Sequence, residues 1–308
     1  MSASSENTAE EILRRNGRSF NFARVFLKRA HGQRAARLYA FCRYIDDIAD
    51  EASDVKQAIE ILKQVRSQLT QNLPSSPRVA NFINLAQDTN IDTTTATDLI
   101  DGVASDLETV AFETTTELLQ YAYKVAGTVG LMMCRVLEVD DPRATPFAID
   151  LGVAMQLTNI ARDMREDALN GRRYVPATWL AGMSAKEIAN PDASLKPRLQ
   201  VASQRLIELA DLYYESAYNG FGFLPGRSRF AILIAARVYR QIGLKLKRRD
   251  FATWRGRAVV STPEKIMVAG AAIFAYLTEL RLHRCSHEHN AELHISLQGF
   301  SGTSELAK

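Results

Sequence analysis

The amino-acid sequence predicts an all-α protein in a single domain, on three observations. No proline occurs before Pro74, so nearly a quarter of the chain is free to run in long helices. Beyond it the prolines gather at breaks, 73–77, 140–146, 174–176, 190–197, 224–226 and 261–265. Between the breaks apolar residues recur three or four apart, and alternating strand patterns bounded by tight-turn dipeptides are missing.

The elements follow in order. A helix through 38–51 has an apolar face of Leu38, Phe41, Ile45 and Ile48. After the LPSSP break comes 79–92, then 116–139, which carries two glycines in VAGTVG (125–130). Helices are predicted at 147–169, 199–218, 228–249 and 263–284, each following a proline break. No repeat of fixed period and no low-complexity linker divides the chain. The expected organisation is one all-α domain over 1–285 and a polar, flexible tail over 286–308.

Composition narrows the function. At 308 residues, 46% hydrophobic and 24% charged, the chain has the balance of a soluble globular protein with a large core. A net charge of +3 does not suggest a nucleic-acid binder. Three cysteines, Cys42, Cys134 and Cys285, give no disulfide framework and suit a reducing compartment. The start, MSASSENTAEE, lacks the basic and apolar regions of a signal peptide. The longest apolar run, Ile266 to Leu277, stops short of the roughly 18 residues of a membrane span. A cytoplasmic protein is expected.

The stretch FCRYIDDIADE (41–51) raises the question of chemistry, because crowded carboxylates are costly without a counter-charge. On a helix Tyr39, Arg43, Asp46 and Asp50 fall within an arc of about 60°. The acid row borders the apolar face instead of opposing it. Asp46 and Asp50, one turn apart, can share a divalent cation such as Mg²⁺. Taken alone, the row fits a solvated helix surface as well.

A second row breaks that tie. In QLTNIARDMREDALNGRRYVP (156–176), Gln156, Asn159, Asp163 and Asp167 fall within about 80° of arc. Arg162, Arg165, Arg172 and Arg173 supply cations nearby. Two such rows facing across a cavity would hold metal ions, with arginines taking up the remaining charge of a diphosphate. The competing arrangement is a wet face with salt bridges such as Arg162 to Glu166.

These pieces together resemble the squalene and phytoene synthase family, the head-to-head prenyl transferases. The matching segments are NGRSFNFA (16–23), LYAFCRYIDDIADE (38–51), LIDGVASDLE (99–108), YAYKVAGTVGLMM (121–133), QLTNIARDMREDALNGRRYVP (156–176), RVYRQIG (237–243) and RGRAVVSTPEK (255–265). NIARD, GRRYVP and VVSTPEK look more like the bacterial phytoene-forming branch than the squalene-type branch. One departure is Val110-Ala111-Phe112, where many phytoene synthases carry an Arg-Tyr or His-Tyr pair.

The resemblance implies an isoprenoid-synthase-type helical bundle around a deep apolar cavity. It implies Mg²⁺-dependent condensation of two geranylgeranyl diphosphates through a cyclopropyl diphosphate to phytoene, with Mn²⁺ as a substitute metal. The alternative is squalene or dehydrosqualene synthesis from farnesyl diphosphate. NADPH is not expected, although the missing Gly-rich fingerprint decides little, since NADPH-using relatives also lack one. By resemblance Asp46, Asp50, Asn159, Asp163 and Asp167 match metal positions. Arg18, Ser19, Arg43, Gln156 and Arg162 match diphosphate contacts, and Tyr39, Tyr121, Tyr239 and Arg257 match cavity or diphosphate residues. Catalytic weight then falls on Asp46, Asp50, Asp163 and Asp167 with Arg43 and Arg162.

Some signals have two readings. Phe20, Phe22 and Phe41 could face a carbocation, or simply pack in the core. Gly127 and Gly130 could admit a prenyl chain or a close helix contact. The basic stretch KLKRRDFATWRGR (245–257) reads as a solvated helix end, a site edge or a contact for an anionic membrane. His283, Cys285, His287 and His289 alternate, which on a helix scatters them and argues against zinc. Because the hydrocarbon product would not diffuse freely in water, peripheral membrane contact is expected. The sequence sets no oligomeric state.

Overall fold

The computed structural model describes residues 3–285 and 288–303. Among them are fourteen α-helices. These are α1 (Ala3–Asn16), α2 (Arg18–Arg24), α3 (Arg29–Asp50), α4 (Val55–Gln71), α5 (Pro77–Thr89), α6 (Thr93–Ala104) and α7 (Thr115–Ala122). There follow α8 (Thr128–Val136), α9 (Thr145–Leu169), α10 (Ala177–Leu180), α11 (Ala185–Ala189), α12 (Lys196–Asn219), α13 (Gly226–Lys247) and α14 (Thr262–Thr278). No strand occurs among the described residues, only an isolated bridge between Ala111 and Arg173. The all-α expectation is met.

Local chemistry sets the helix ends. Asp54 caps α4 by accepting from the Lys56 and Gln57 amides, and Ser76 caps α5 ahead of Pro77. Thr114 with Glu117, and Ser261 with Glu264, form capping boxes on α7 and α14. Asn72 and Asn90 close α4 and α5 in the left-handed conformation, at φ 56° and 54°. The segment predicted as one helix over 116–139 is instead α7 and α8 joined by a π-helical turn, Tyr123–Gly127.

α9 is the central element, packed against α8, α12 and α13. Its crossing with α8 is unusually close. A Cβ on Gly130 would lie 2.1 Å from the Ala148 carbonyl oxygen, and one on Gly152 would lie 2.2 Å from that of Ala126. Gly130 thus answers its own ambiguity: helix contact requires it, and it also borders the apolar cavity described below.

The expected flexible tail is corrected over 288–303. Leu297 and His294 are fully buried, Tyr123 donates to the Ser301 carbonyl at 2.8 Å, and Tyr213 donates to that of Leu293 at 2.7 Å. The physical reason is Asp150, a fully buried carboxylate on α9. Ser216 donates to it at 2.5 Å, while His289 Nε2 and His294 Nε2 lie 2.8 and 3.0 Å from its two oxygens. Burial alone would push the Asp150 pKa up, but these partners hold it below the usual carboxylate range. A polar tail is therefore retained by a polar anchor, which composition does not display.

The two histidines and Asp150 come close enough for a shared metal, their ligand atoms lying within 4.8 Å. However, His289 Nδ1 is buried without a partner, whereas a metal-bound imidazole normally donates its other N–H. The cluster reads as hydrogen-bonded anchorage. His287 lies outside the described residues, as do 286 and 304–308.

Candidate active site

The acid rows face one another. A polar cavity is lined by Asp46 and Asp50 of α3 and by Gln156, Asn159 and Asp167 of α9. Arg172, three residues beyond α9, donates to Asp50 at 3.1 Å and so ties the end of one row to the other. Asp46, Gln156 and Asn159, together with Val125, also line a second, apolar cavity, so the two spaces meet at those four side chains.

Charge is crowded here. Burial, followed by repulsion from Asp50, pushes the pKa of Asp46 up to about 7. Burial and then Asp163 push Asp167 to about 7 as well. Asp106, on the turn after α6, is also raised by burial, although Tyr121 and Tyr174 donate to it at 2.8 and 2.7 Å. Asp163 is clasped by two arginines: Arg162 donates through Nε at 2.8 Å and through Nη2, and Arg257 at 2.5 and 3.0 Å. Arg43 pairs with Asp47. The Arg162–Glu166 bridge weighed from sequence is not the pairing formed.

One atom speaks directly to a cation. Asn159 Oδ1 is buried and has no hydrogen-bond partner among the described residues, although it borders both cavities. An orphaned amide oxygen amid carboxylates of raised pKa is a donor set suited to a hard divalent ion. The residues fit the group.

The apolar cavity begins at a collar of Phe20, Tyr39 and Tyr239, with Phe20 5.0 Å from Tyr239 and 6.2 Å from Tyr39, centroid to centroid. It runs along α9 toward Ala148, Phe147 and Ala144. Of the three phenylalanines weighed from sequence, only Phe20 lines it. Phe41 is stacked on Phe82 at 3.8 Å in the core, and Phe22 packs near Phe26. Arg18 is exposed and Ser19 half-buried, and neither lines either cavity. Tyr121 lines the polar cavity itself and donates to Asp106 there, whereas Arg257 lines neither cavity and reaches the site through Asp163.

Sequence pattern gives no role to Asp106, which sits in the block LIDGVASDLE, and gives Arg172 only a share with its neighbours in taking up diphosphate charge, not its tie to Asp50. What places them is a connection across the fold, which helical spacing does not encode.

A sequence profile of squalene/phytoene synthase matches residues 13–264. The chain belongs to the squalene/phytoene synthase family. The 15-cis-phytoene synthase of Enterobacter agglomerans is 38% identical over 248 residues, covering 76% of this chain and 83% of that protein. The 15-cis-phytoene synthase of Pantoea ananas is 35% identical over 292 residues, covering 90% and 94%. A crystal structure of a dehydrosqualene synthase with a ligand superposes at a TM-score of 0.79 with 26% identity, covering 90% of this chain and 97% of that one. The bundle seen in this member of the squalene/phytoene synthase family is thus the fold of a prenyl-diphosphate enzyme.

A pH dependence follows from the acid rows. Without metal, Asp46 and Asp167 are partly protonated near neutrality, because their pKa values are raised to about 7. A divalent ion must displace those protons. Calorimetric titration of Mg²⁺ in buffers of different ionisation enthalpy should show proton release near pH 7, with affinity rising from pH 6 to pH 8. Affinity independent of pH over that range would contradict the raised pKa values.

Proposed function

We propose that this protein is a phytoene synthase. It condenses two geranylgeranyl diphosphates head to head into phytoene, releasing two diphosphates and two protons, one as the cyclopropyl diphosphate forms and one as the final cation is quenched. The observation that carries the reading is the junction at Asp46, Gln156 and Asn159, where a carboxylate-lined polar cavity opens into an elongated apolar one. A prenyl diphosphate has that same division into anionic head and hydrocarbon tail.

In this reading Asp46, Asp50, Asn159, Asp163 and Asp167 hold Mg²⁺, which would supply Lewis-acid stabilisation of the departing diphosphate. Arg172, Arg162 and Arg257 stand close enough to those acids to take up phosphate charge by bidentate donation. For Arg162 and Arg257 this means exchanging Asp163 for substrate. Gln156 and Tyr121 complete the polar wall, while Arg43, paired with Asp47, and Arg18 and Ser19 on α2 would act from its edge. The collar of Phe20, Tyr39 and Tyr239 offers aromatic faces to the allylic cation and keeps water from it. Tyr39 suits that place: burial first, then Tyr239, raise its pKa to about 12, so it stays a neutral phenol.

Cavity length favours the longer substrate. From Asn159 to Ala144 along α9 is about 22 Å at 1.5 Å per residue. Sixteen chain carbons at about 1.3 Å of reach per bond need about 20 Å, whereas a farnesyl chain needs about 14 Å. Incubating pure protein with Mg²⁺ and either geranylgeranyl or farnesyl diphosphate, with and without NADPH, tests the reading. The expected result is a forty-carbon hydrocarbon made without NADPH. A product of fifteen-carbon halves as the main outcome would replace this reading with dehydrosqualene or squalene synthesis.

No helix among the described residues is long and apolar enough to cross a membrane. A hydrocarbon product nonetheless requires a lipid destination, so the reading includes peripheral contact with a bilayer from the cytoplasmic side.

A further inference from the structure

Helix α14 is built inside out. Its inward side carries the small residues Ala269, Ala272 and Ala275, all buried. Its large apolar residues point to solvent: Ile266, Met267, Ile273, Phe274 and Leu277 are 60%, 68%, 51%, 71% and 76% exposed. With Gly270 they span about 120° of arc, and no charged side chain interrupts it. A surface helix ordinarily turns such a stripe inward, and one that is apolar all round is covered by something.

The surroundings indicate what covers it. Lys245 near the end of α13 donates to the Val259 carbonyl and to Glu264, which brings that basic end against the start of α14. Lys247 ends α13 and Arg248 and Arg249 follow on the turn that leaves it, three and four residues beyond Lys245, with Arg255 close by in the chain. None of these four has a carboxylate partner among the described residues, and the nearest unspent acid in sequence is Asp250. Glu264 is engaged by Lys245, and Glu279 by Arg237. Val259, 61% exposed, extends the apolar surface toward this basic end. Arg257, which holds Asp163, lies five residues before α14, so the patch adjoins the mouth of the site.

We propose that the exposed face of α14, with the basic group formed by Lys247, Arg248, Arg249 and Arg255, is the surface that docks this protein on an anionic lipid bilayer. The apolar side chains enter the acyl boundary and the basic group meets acidic headgroups. A second copy of the chain would have to bring acidic groups opposite the same patch. The docking surface deepens the proposed function, since it sets the site's mouth at the phase where a prenyl diphosphate arrives and a hydrocarbon leaves.

The test is co-sedimentation of the full chain, without substrate, with vesicles of phosphatidylcholine alone or mixed with phosphatidylglycerol. Wild type should bind the anionic vesicles, less at high salt. The double substitution Phe274→Ser, Leu277→Ser should weaken that binding by about tenfold or more. It should leave turnover of detergent-dispersed substrate unchanged, since neither residue borders a cavity. Arg248→Glu should abolish the preference for anionic over neutral vesicles. Failure of wild type to bind, or equal binding by the serine variant, would overturn the proposal. So would a stable dimer in vesicle-free solution that the serine variant dissolves, which would assign the face to a second copy. Because no substrate is present, the outcome is independent of which hydrocarbon the enzyme makes.

Discussion

Asp46→Asn and Asp167→Asn are each expected to lower turnover by on the order of a hundredfold to a thousandfold or more, while raising the thermal midpoint of the metal-free protein at pH 8. The two effects have one cause. Asp46 is pressed by burial and by Asp50, and Asp167 by burial and by Asp163, so that each holds its proton up to a pH of about 7. A carboxyl whose pKa is raised on folding opposes the fold increasingly as pH climbs from its ordinary value near 4 toward 7, and fully above that. Asparagine keeps the shape and removes the charge. Its stabilising effect should therefore be large at pH 8 and nearly absent at pH 4. The same charge is what a divalent ion requires, so activity falls as stability rises. Differential scanning calorimetry at the two pH values, together with diphosphate release, reads both. Unchanged diphosphate release in either variant would remove the acid rows from the reaction.

The legible part of this protein was its periodic part. Asp46 and Asp50, and Asn159, Asp163 and Asp167, could be set on one face each because helices α3 and α9 repeat every 3.6 residues, and the structure turns those faces toward each other. Proline breaks placed helix ends well enough to start α5 after LPSSP and to separate α13 from α14. Contacts between distant segments were not legible. Arg172 reaches Asp50 across 122 positions of chain, and His294 reaches Asp150 across 144. The docked tail shows why composition misleads: a polar segment is held when a buried carboxylate offers it partners, and that carboxylate lies on another helix. Likewise the KLKRR run, ambiguous in sequence, acquires meaning only beside the exposed side of α14, because Lys245 joins the two.

Ala148→Phe should convert the enzyme from a twenty-carbon to a fifteen-carbon donor preference. Ala148 lies on α9 about 16 Å from Asn159 at 1.5 Å per residue, inside the reach of a geranylgeranyl chain and beyond that of a farnesyl chain. A benzyl group there occupies the space of the last isoprene unit without touching the acid rows, so ionisation chemistry should persist. kcat/KM for geranylgeranyl diphosphate is expected to fall by on the order of a hundredfold, with that for farnesyl diphosphate little changed. Ala144→Phe, about 22 Å out, should cost much less, because the longer chain barely reaches it. The gradient between the two positions separates a ruler from general damage. Overpacking against the α8 backbone would lower stability and both activities together, and a thermal scan of each variant would expose it. Hydrocarbon products of unchanged length from a stably folded Ala148→Phe protein would show that the tail lies elsewhere than along α9.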